Sequence, residues 1–598
     1  MPAAKENIAQ PVIVKSVIPK ERQDLLKWNG WGYKDSYFTM NDTVASFTGK
    51  RYSIGNLRLP RLMPWVAQTF NIDFTKPNAS KPQPKETDYP PPKVNNENIE
   101  AFQRLGVSYS ISVMDRVVRA HGHTLKDIYT LKYGRFERIP DIVVWPKCHE
   151  DVEKIVRLAD EENMVIIPFG GGTAVSGAIE CPTNEERPII SLDTSQMNRI
   201  LWLDEDNLVA CIESGIIGQD LERELNKLSY TVGHEPDSYE FSSLGGWVAT
   251  RASGMKKNTY GNIEDLVVHV KMVTPRGLLQ KNCQVPRMSC GPDFNHVIMG
   301  SEGSLGVITE VILKIRPLPK VRRYGSIIFR NFEDGVGCMR EVAKKRCQPA
   351  SIRLMDNDQF QLGMILKPEI SFMEAAVDTL KRTYVTKIKG FDPTELCVMT
   401  LLFEGDENEV KANEKKIYDI GAKFRGMPAG QSNGERGYML TFLIAYIRDL
   451  AIEFNVVAES FETSVPWDKA LQLVRNVKHV IASECYKIGI THFIINSRVT
   501  QTYDAGCVIY FYLGFNYGNL PNPVDVFHHL EEAARDEIIR VGGSISHHHG
   551  VGKLRKKWYA DTVSKVGTNI FLAIKKEVDP KNIFATNNLM TTVPQAKL

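Results

Sequence analysis

Three consecutive histidines in the last tenth of the chain have the residue type suited to proton transfer. His547, His548 and His549 precede the run Gly550-Val551-Gly552-Lys553. Imidazoles gain and lose protons near neutral pH. Three in a row cannot all face one way on a strand, so at most two converge on one point. Metal binding is the main alternative, but no carboxylate lies nearby in the sequence, and we expect no metal.

Tyr510 is a second candidate for proton transfer. It lies in the apolar segment 506–515, which with segment 493–499 has the pattern of two paired strands. Tyr512 is two residues away and therefore shares its face. Two tyrosines on one strand face are also typical of packing, so this pattern alone does not indicate catalysis.

Two arginines lie within apolar stretches, Arg353 in segment 349–356 and Arg448 in segment 440–450. A buried guanidinium must be paired or bound to an anion, because an unpaired buried charge is costly. For Arg448, a structural pair with Asp449 or another carboxylate and a bidentate phosphate site both remain open. For Arg353, a surface pair on an edge strand and a cation pointing at a ligand cavity remain open.

Glycine-rich blocks upstream of these residues have the composition of a ligand-binding backbone. Glycine lets a main chain approach a ligand closely, and successive N–H groups can converge on a diphosphate. The first block follows the strand-like run 165–167, which we expect Pro168 to end because proline cannot donate to a ladder. No dinucleotide-binding GxGxxG opens a helix and no P-loop is present. The first of the three blocks contains Pro168, Phe169, Gly170, Gly171, Gly172, Thr173 and Ala174. The second contains two runs, Asp237, Ser238, Tyr239, Glu240, Phe241, Ser242 and Ser243, and Thr250, Arg251, Ala252 and Ser253. The third contains Glu302, Gly303, Ser304, Leu305, Gly306, Val307 and Ile308.

The periodicity around these blocks predicts alternating strands and helices. Segment 140–146 is a short strand between prolines, and 152–159 has helical spacing. Segment 220–228 predicts an amphipathic helix with Leu221, Leu225 and Leu228 on one face. After residue 320, strand and helix patterns predict an α+β domain with a central antiparallel sheet.

The composition excludes several classes of protein. The chain has 598 residues with 43% hydrophobic and 24% charged residues, as in soluble globular proteins of several domains. A net charge of +3 does not indicate nucleic acid as a partner. No apolar run is long enough to span a membrane, and the N-terminus lacks a signal core. No pair among the ten cysteines has CxxC spacing, which favours free thiols in a reducing compartment.

The two terminal regions carry further signals. Segment 57–74 is apolar and aromatic and has two arginines, which predicts a packing arm, with membrane contact as the alternative. The Pro- and Lys-rich segment 76–93 predicts an extended linker. The chain ends in Ala596-Lys597-Leu598, which is close to the Ser-Lys-Leu peroxisomal address.

The order of the glycine blocks resembles the FAD-binding module of the vanillyl-alcohol oxidase and 2-hydroxy-acid dehydrogenase superfamily, most strongly over residues 138–320. The resemblance implies an α+β fold in which two subdomains hold FAD through the four runs of residues above. It further implies an α+β cap domain and an N-terminal helical extension. We therefore expect an extension at 1–135, an FAD-binding domain at 136–320, a cap at 321–535 and a segment at 536–598 that completes the active site. Many members tether FAD to a histidine in the first loop. No His or Cys lies between Pro168 and Glu180, which predicts non-covalent FAD.

A narrower resemblance rests on the run 251–257, the Arg353 strand, the Arg448 segment, Tyr510 and the run 546–553. Together they resemble the alkylglycerone-phosphate synthase family over most of residues 100–590. The resemblance implies a flavin-dependent, non-redox exchange of the acyl chain of acyl-dihydroxyacetone phosphate for a long-chain fatty alcohol. This reaction forms the ether bond in ether lipid biosynthesis through a covalent intermediate at flavin N5.

The same resemblance implies roles for individual residues. Arg448 is implied to bind the substrate phosphate, and Tyr510, the three histidines and Arg353 are implied to be catalytic. We favour His548 as the base, although His547 and His549 remain open.

Two other functions and several partners follow from these observations. An FAD-dependent oxidoreductase of a small 2-hydroxy acid is the alternative activity, and a flavin-bearing binding protein without catalysis is a third hypothesis. Ether lipid synthesis fits a peroxisomal location. We expect a peroxisomal import receptor, the inner face of the membrane and the two lipid substrates as partners, with a homodimer left open.

Overall fold

The computed structural model describes residues 11–41, 44–369, 379–380, 382–518 and 520–589. The C-terminal signal predicted at Ala596-Lys597-Leu598 lies outside these residues. Within the described ranges, every helix is too short or too polar to cross a membrane.

The N-terminal region packs onto the rest of the protein through an apolar helix, Leu62–Phe70, which ends at left-handed Asn71. Its buried Leu62 and Met63 join a cluster with Leu450 and Phe454. The packing arm predicted at 57–74 is therefore confirmed. The strands of this region are Phe38–Asn41, Val44–Phe47 and Arg58–Leu59, and its other helices are Asn96–Leu105, Val113–Val118 and Leu125–Tyr133.

The first glycine block follows a strand in a sheet of mainly parallel pairs. In the described part of the chain this sheet has the order Ser108–Ser110, Ile142–Trp145, Ile189–Asp193, Val165–Phe169. The helix His149–Glu161 connects Ile142–Trp145 to Val165–Phe169, as predicted. The prediction that Pro168 ends its strand is wrong, because pairing continues through Pro168 to Phe169. The strand lies at the edge of the sheet, where a missing N–H is tolerated.

A second sheet supports the other two glycine blocks. Its described strands are, in order, Val12–Ile13, Arg199–Asp204, Val209–Glu213, Val307–Lys314, Val267–Thr274 and Gly277–Leu279. The predicted amphipathic helix spans Gly218–Lys227 and buries Leu221 and Leu225. The placement of Leu228 on the same buried face is wrong. Leu228 follows the last helical residue and is 43% exposed.

The predicted antiparallel cap sheet is confirmed. Its described strands run in the order Met427–Pro428, Val321–Phe329, Cys397–Gly405, Ser351–Met355, Phe493–Thr502, Gly506–Asn516, Val456–Pro466, and all neighbours are antiparallel. Strand Cys397–Gly405 is buried over its first seven residues because helices Phe332–Lys344 and Glu407–Lys423 cover one face and helix Gln431–Met439 covers the other. The helices packed around this sheet include Phe332–Lys344, Glu407–Lys423, Ala470–Lys487 and Pro523–Val541.

The remaining elements complete an α+β architecture. The boundary expected between 535 and 536 lies inside helix Pro523–Val541, so the cap runs continuously into the last segment. All ten cysteines are free, as expected. The other helices are Leu244–Thr250, Lys257–Tyr260, Ile263–Leu266, Asn295–Ile298, Asn357–Ile365, Gln431–Met439, Ile444–Glu453 and Tyr559–Val578; Tyr230–Thr231 pairs with Arg316–Pro317.

Candidate active site

A cavity of about 420 Å³ lies between the glycine loops and the cap sheet. That volume is within the usual range of small-molecule sites. The apolar part of its wall includes helix Leu62–Phe70 and the segment 440–454. The polar part brings together Arg448, Tyr510, His548 and His549.

The glycines of the first block are required for contact between two loops. A Cβ on Gly170 would lie 2.2 Å from Ser243 Oγ, and one on Gly171 would lie 2.1 Å from the carbonyl oxygen of Phe241. Gly172 has a φ of +76°, which L side chains rarely adopt. Loop packing therefore brings the first and second blocks together into one wall of the cavity.

Most of the residues predicted to contact FAD line this cavity. Those that do are Pro168, Phe169, Gly170, Gly171, Gly172, Thr173, Ala174, Asp237, Ser238, Ser242, Ser243, Thr250, Ala252, Ser253, Glu302, Gly303, Gly306, Val307 and Ile308.

Six predicted contact residues lie behind that wall. Glu240 accepts a hydrogen bond from Tyr52, and Phe241 packs against Trp31 and Tyr33. Leu305 is in the core, and Ser304 donates to the carbonyl of Ser301. Tyr239 contacts the ring of Phe442, and half-exposed Arg251 pairs with Glu264 at 3.6 Å. These residues shape the wall from outside, because their side chains pack or pair away from the cavity.

Glu302 joins the third glycine block to the histidine segment. Its carboxylate accepts the backbone N–H groups of Val551 and Gly552, both at 2.7 Å. Burial raises the pKa of Glu302, while those two hydrogen bonds lower it. The C-terminal segment thus reaches the cofactor side of the cavity through backbone hydrogen bonds.

Tyr510 and the histidines form one hydrogen-bonded cluster. Tyr510 Oη lies 2.6 Å from His548 Nε2 and 3.0 Å from His549 Nε2. His547 Nδ1 lies 2.8 Å from His548 Nδ1. Two of the three histidines converge on one tyrosine, as their spacing predicts. Burial raises the pKa of Tyr510 well above its ordinary value and lowers that of His547 to about 3.

Glu462 holds the histidine segment in place, and sequence analysis missed it. It accepts from Ser546 Oγ and the backbone N–H of His547, both at 2.6 Å, and from the N–H of His549 at 3.1 Å. Burial raises the pKa of Glu462, but His548, His549 and His547 lower it well below its usual value. Glu462 is more than 80 residues from the histidines, so local sequence carries no signal for it.

Glu462, His547 and His548 also have ligand atoms close enough together to bracket a metal ion. Hydrogen bonds to one another, to Tyr510 and to the main chain engage these atoms. The sequence-based expectation of no metal stays a prediction.

Arg448 combines structural ion pairs with an edge that makes no hydrogen bond to the described residues. Its Nη1 donates to the carbonyl of His123 at 2.8 Å and to Glu459 at 3.2 Å. Its buried Nε and Nη2 have no hydrogen-bond partner among the described residues, and Nη2 lies 3.7 Å from Asp449 Oδ1. These two atoms form the edge of a guanidinium that makes parallel bonds to a carboxylate or phosphate. The structural pair left open by the sequence is therefore present, with Glu459 and Asp449, and the phosphate site stays a prediction.

Arg353 lies on an inner strand of the cap sheet and not on an edge. Its Nη1 donates to Thr441 Oγ1 at 2.6 Å, and its Nη2 lies 3.6 Å from Asp237. Arg498, which sequence analysis missed, contacts the other oxygen of Asp237 at 3.3 Å. Its guanidinium stacks on the rings of Tyr510 and Tyr512. Arg353 therefore acts on the cavity through Asp237, whereas Arg498 lines it directly.

His123 is a further cavity residue that the sequence did not indicate. Its Nδ1 lies 2.8 Å from the carbonyl oxygen of Gly172. Burial lowers the pKa of His123 to about 3, and it is neutral at physiological pH. A histidine from the N-terminal extension thus contacts the first glycine block.

Comparison with known proteins assigns these features to a family. Residues 140–281 match the model "FAD binding domain", and residues 318–589 match "FAD linked oxidases, C-terminal domain". Alkyldihydroxyacetonephosphate synthase of Caenorhabditis elegans is 50% identical over 97% of this chain and 98% of its own length. The Dictyostelium discoideum protein of that name is 30% identical over 97% and 96%. The chain belongs to the alkyldihydroxyacetonephosphate synthase family.

The fold of that family agrees with the architecture described above. A solved structure of an alkyldihydroxyacetonephosphate synthase superposes with a TM-score of 0.80 at 29% identity, covering 94% of this chain and 98% of the other. The family is the one that the sequence analysis identified under the synonym alkylglycerone-phosphate synthase. The chain is therefore an FAD-dependent transferase of ether lipid biosynthesis, and the expected FAD cofactor is confirmed.

The cavity fits FAD by an observation independent of these comparisons. The glycine loops form a wall that added Cβ atoms would disrupt. Ser214 lines the cavity, and its buried hydroxyl lacks a hydrogen-bond partner within the described residues. A polar ligand would provide one.

Proposed function

We propose that the enzyme carries out its acyl-for-alkyl exchange in this cavity, with no net oxidation or reduction. The substrates are an acyl-dihydroxyacetone phosphate and a long-chain fatty alcohol, and the products are the ether lipid precursor and a fatty acid. When bound, FAD supplies covalent catalysis at its N5 atom. The three glycine blocks would hold it on one side of the cavity.

The Nε–Nη2 edge of Arg448, which makes no hydrogen bond to the described residues, is the observation that carries the substrate assignment. Nε and Nη2 would donate two parallel hydrogen bonds to the phosphate of dihydroxyacetone phosphate. Glu459 and the His123 carbonyl occupy Nη1 and hold the guanidinium in one orientation. The apolar wall from Leu62–Phe70 and 440–454 would accommodate the hydrocarbon chains.

Tyr510 would accept the proton of the alcohol. In one arrangement that satisfies both contacts, its hydroxyl donates to His548 Nε2 and accepts from His549 Nε2. The alcohol would pass its proton to the Tyr510 oxygen as Tyr510 passes its own to His548. Arg498 beside the phenol ring would stabilise negative charge that develops on Tyr510.

Incubation of the flavin-loaded enzyme with palmitoyl-dihydroxyacetone phosphate and hexadecanol tests this function. We expect hexadecyl ether product and palmitate in equal amounts, with a transient change in the flavin spectrum. Ether formation without palmitate release would contradict the exchange.

Anaerobic addition of D-lactate or glycolate separates the exchange from the alternative oxidoreductase activity. We expect no bleaching of the flavin. Rapid bleaching would instead support oxidation of a 2-hydroxy acid.

We also propose a peroxisomal location, on the inner face of the membrane. The terminal Ala596-Lys597-Leu598 supports recognition by the import receptor. Both lipid substrates partition into membranes, which favours contact with the bilayer surface. Deleting the last three residues should move a fluorescent fusion to the cytosol, and retention in peroxisomes would refute the signal. Sedimentation with lipid vesicles tests surface contact, and light scattering tests the homodimer.

A further inference from the structure

A continuous row of hydrogen bonds leads away from the cavity behind the catalytic tyrosine. Tyr510 Oη lies 2.6 Å from His548 Nε2, and His548 Nδ1 lies 2.8 Å from His547 Nδ1. His547 Nε2 lies 2.6 Å from Tyr503 Oη. We propose that Tyr510, His548, His547 and Tyr503 form a proton relay from the active site, with Tyr503 as its outer end.

The stoichiometry of the exchange requires such an exit, and the relay therefore rests on the proposed function. The alcohol loses its hydroxyl proton as its oxygen bonds to the dihydroxyacetone carbon. The fatty acid leaves as a carboxylate, because a carboxyl group has a pKa near ~4.3 and is ionised at neutral pH. One proton per turnover must consequently pass to solvent.

One arrangement of hydrogens satisfies every link. Tyr510 donates to His548 Nε2, His548 Nδ1 donates to His547, and His547 Nε2 donates to Tyr503. When Tyr510 receives the alcohol proton, its own proton moves to His548. The Nδ1 proton of His548 moves to His547, and the Nε2 proton of His547 moves to Tyr503. Tyr503 then releases its original proton. Each side chain gains one proton and loses one, so the charges of the four side chains are unchanged.

The surroundings of Tyr503 suit the outer end of a relay. Tyr503 does not line the cavity, and it precedes exposed Asp504 and Ala505. Its hydroxyl contacts the side chains of Asn262 and Gln501. The carboxylates of Glu264 and Asp265 face it, and Asp265 is exposed. These acceptors would pass the proton to water.

Burial keeps His547 neutral between turnovers. Glu462 fixes the histidine main chain, and its negative charge favours protonation of His547, but burial outweighs this charge and lowers the pKa of His547 to about 3. Lys257 lies over the ring of Tyr503, 3.3 Å from its centre, and opposes protonation of His547. A proton would therefore pass through His547 without staying on it.

Tyr503→Phe removes the outer link and leaves the groups that contact the substrate unchanged. We expect kcat to fall by about tenfold or more, because proton transfer groups contribute at least this much. The KM values for both substrates should stay the same. The solvent deuterium isotope effect on kcat should increase, and small diffusible acids and bases such as imidazole should restore part of the rate.

Tyr517→Phe is the matched control, since that buried hydroxyl donates to the carbonyl of Ile452 and does not line the cavity. It should leave kcat and the isotope effect unchanged. A Tyr503→Phe enzyme with the rate and isotope effect of the parent would overturn the relay. So would a loss of rate that imidazole leaves unchanged, since that result indicates a structural role.

A proton inventory on the unmodified enzyme keeps the proposal testable if Tyr503→Phe fails to fold. Several protons moving in one step should give a curved dependence of kcat on deuterium fraction, and a straight line would contradict the relay. A pH indicator should show one proton released per ether formed. Absence of ether product would instead contradict the proposed function, so the two failures are distinguishable.

Discussion

The two walls of the cavity are built on different physical principles. The cofactor-side wall uses glycines whose missing Cβ atoms let two loops meet. The cap-side wall uses buried charged groups held by polar partners, namely Arg448 with Glu459, Arg353 and Arg498 with Asp237, and Glu462 with the histidines. The comparison indicates that steric fit determines the structure of the cofactor-side wall, whereas electrostatic pairing determines that of the cap-side wall. Adding one carbon should therefore damage the first wall, while removing one polar atom should damage the second.

Tyr510→Phe should have the largest effect, because it removes the atom that meets both His548 and His549 while keeping the ring. We expect kcat to fall by about 10³-fold, within the range for acid–base groups. FAD content, measured by absorbance after gel filtration, should stay at the level of the parent. Loss of FAD together with activity would show that a substitution in the cap-side wall also disturbs the cofactor-side wall.

Arg448→Lys tests whether the cap-side wall depends on hydrogen-bond geometry or on charge alone. Lysine keeps the charge but lacks the Nε–Nη2 edge. We expect the KM for acyl-dihydroxyacetone phosphate to rise by roughly 100-fold, from loss of a buried charge-assisted pair. Arg540→Lys, at an exposed surface pair, is the control and should leave the KM unchanged. An unchanged KM in Arg448→Lys would show that the substrate phosphate does not bind to this arginine.

Gly171→Ala tests the shape of the cofactor-side wall. The added Cβ would lie 2.1 Å from the carbonyl oxygen of Phe241. We expect a loss of about 1–3 kcal/mol in stability from overpacking, with lower FAD occupancy.

Gly363→Ala provides a control of opposite sign. Gly363 is in helix Asn357–Ile365, and nothing lies within 4 Å of its Cβ position. Alanine should stabilise that helix by roughly 0.5–1 kcal/mol. Urea denaturation measures both variants. Equal midpoints for the two would argue against a shape-dependent wall.

Acidification should lower the stability of the protein, because histidines on both sides of the cavity are buried and neutral in the native state. We expect this effect to be smaller than those of the substitutions above. Burial lowers the native pKa of His234, on the cofactor side, and of His547, on the cap side, to about 3. Unfolded histidine has a pKa near ~6.5. As pH falls from about 6.5 towards 3, the unfolded chain binds protons that the native protein does not, so stability falls.

His234→Leu should flatten this dependence, because it removes one such group. The unfolding midpoint measured at pH 7 and pH 5 gives the difference. His479→Gln, at an exposed position, should keep the slope of the parent. If the unfolding midpoint of His234→Leu depends on pH as strongly as that of the parent, other groups cause the acid sensitivity.

FAD attachment adds a qualitative test of the cofactor-side wall. Sequence analysis predicts non-covalent FAD, and the nearby His123 is engaged by the Gly172 carbonyl. Denaturation should therefore release the yellow colour into the supernatant. Colour retained in the precipitate would show a covalent bond.

Local sequence was most informative where the physical signal is also local. Strand Cys397–Gly405 and the pairing of Phe493–Thr502 with Gly506–Asn516 follow from their apolar patterns, because burial requires them. Pro168 and Leu228 were placed wrongly, because sheet position and helix end depend on distant residues. Arg448 was recognised as a buried cation, but its free edge depends on Glu459 and His123.

The sequence by itself determined the family, the FAD cofactor and the tyrosine and histidines that meet in the cavity, because side-chain chemistry and order along the chain carry that information. Only the tertiary structure decided which atoms meet. It placed Glu462 under the histidines, paired Arg498 with Arg353 through Asp237, and aligned Tyr503 with His547. Those contacts join residues far apart in the chain, so their geometry follows from packing and not from local pattern.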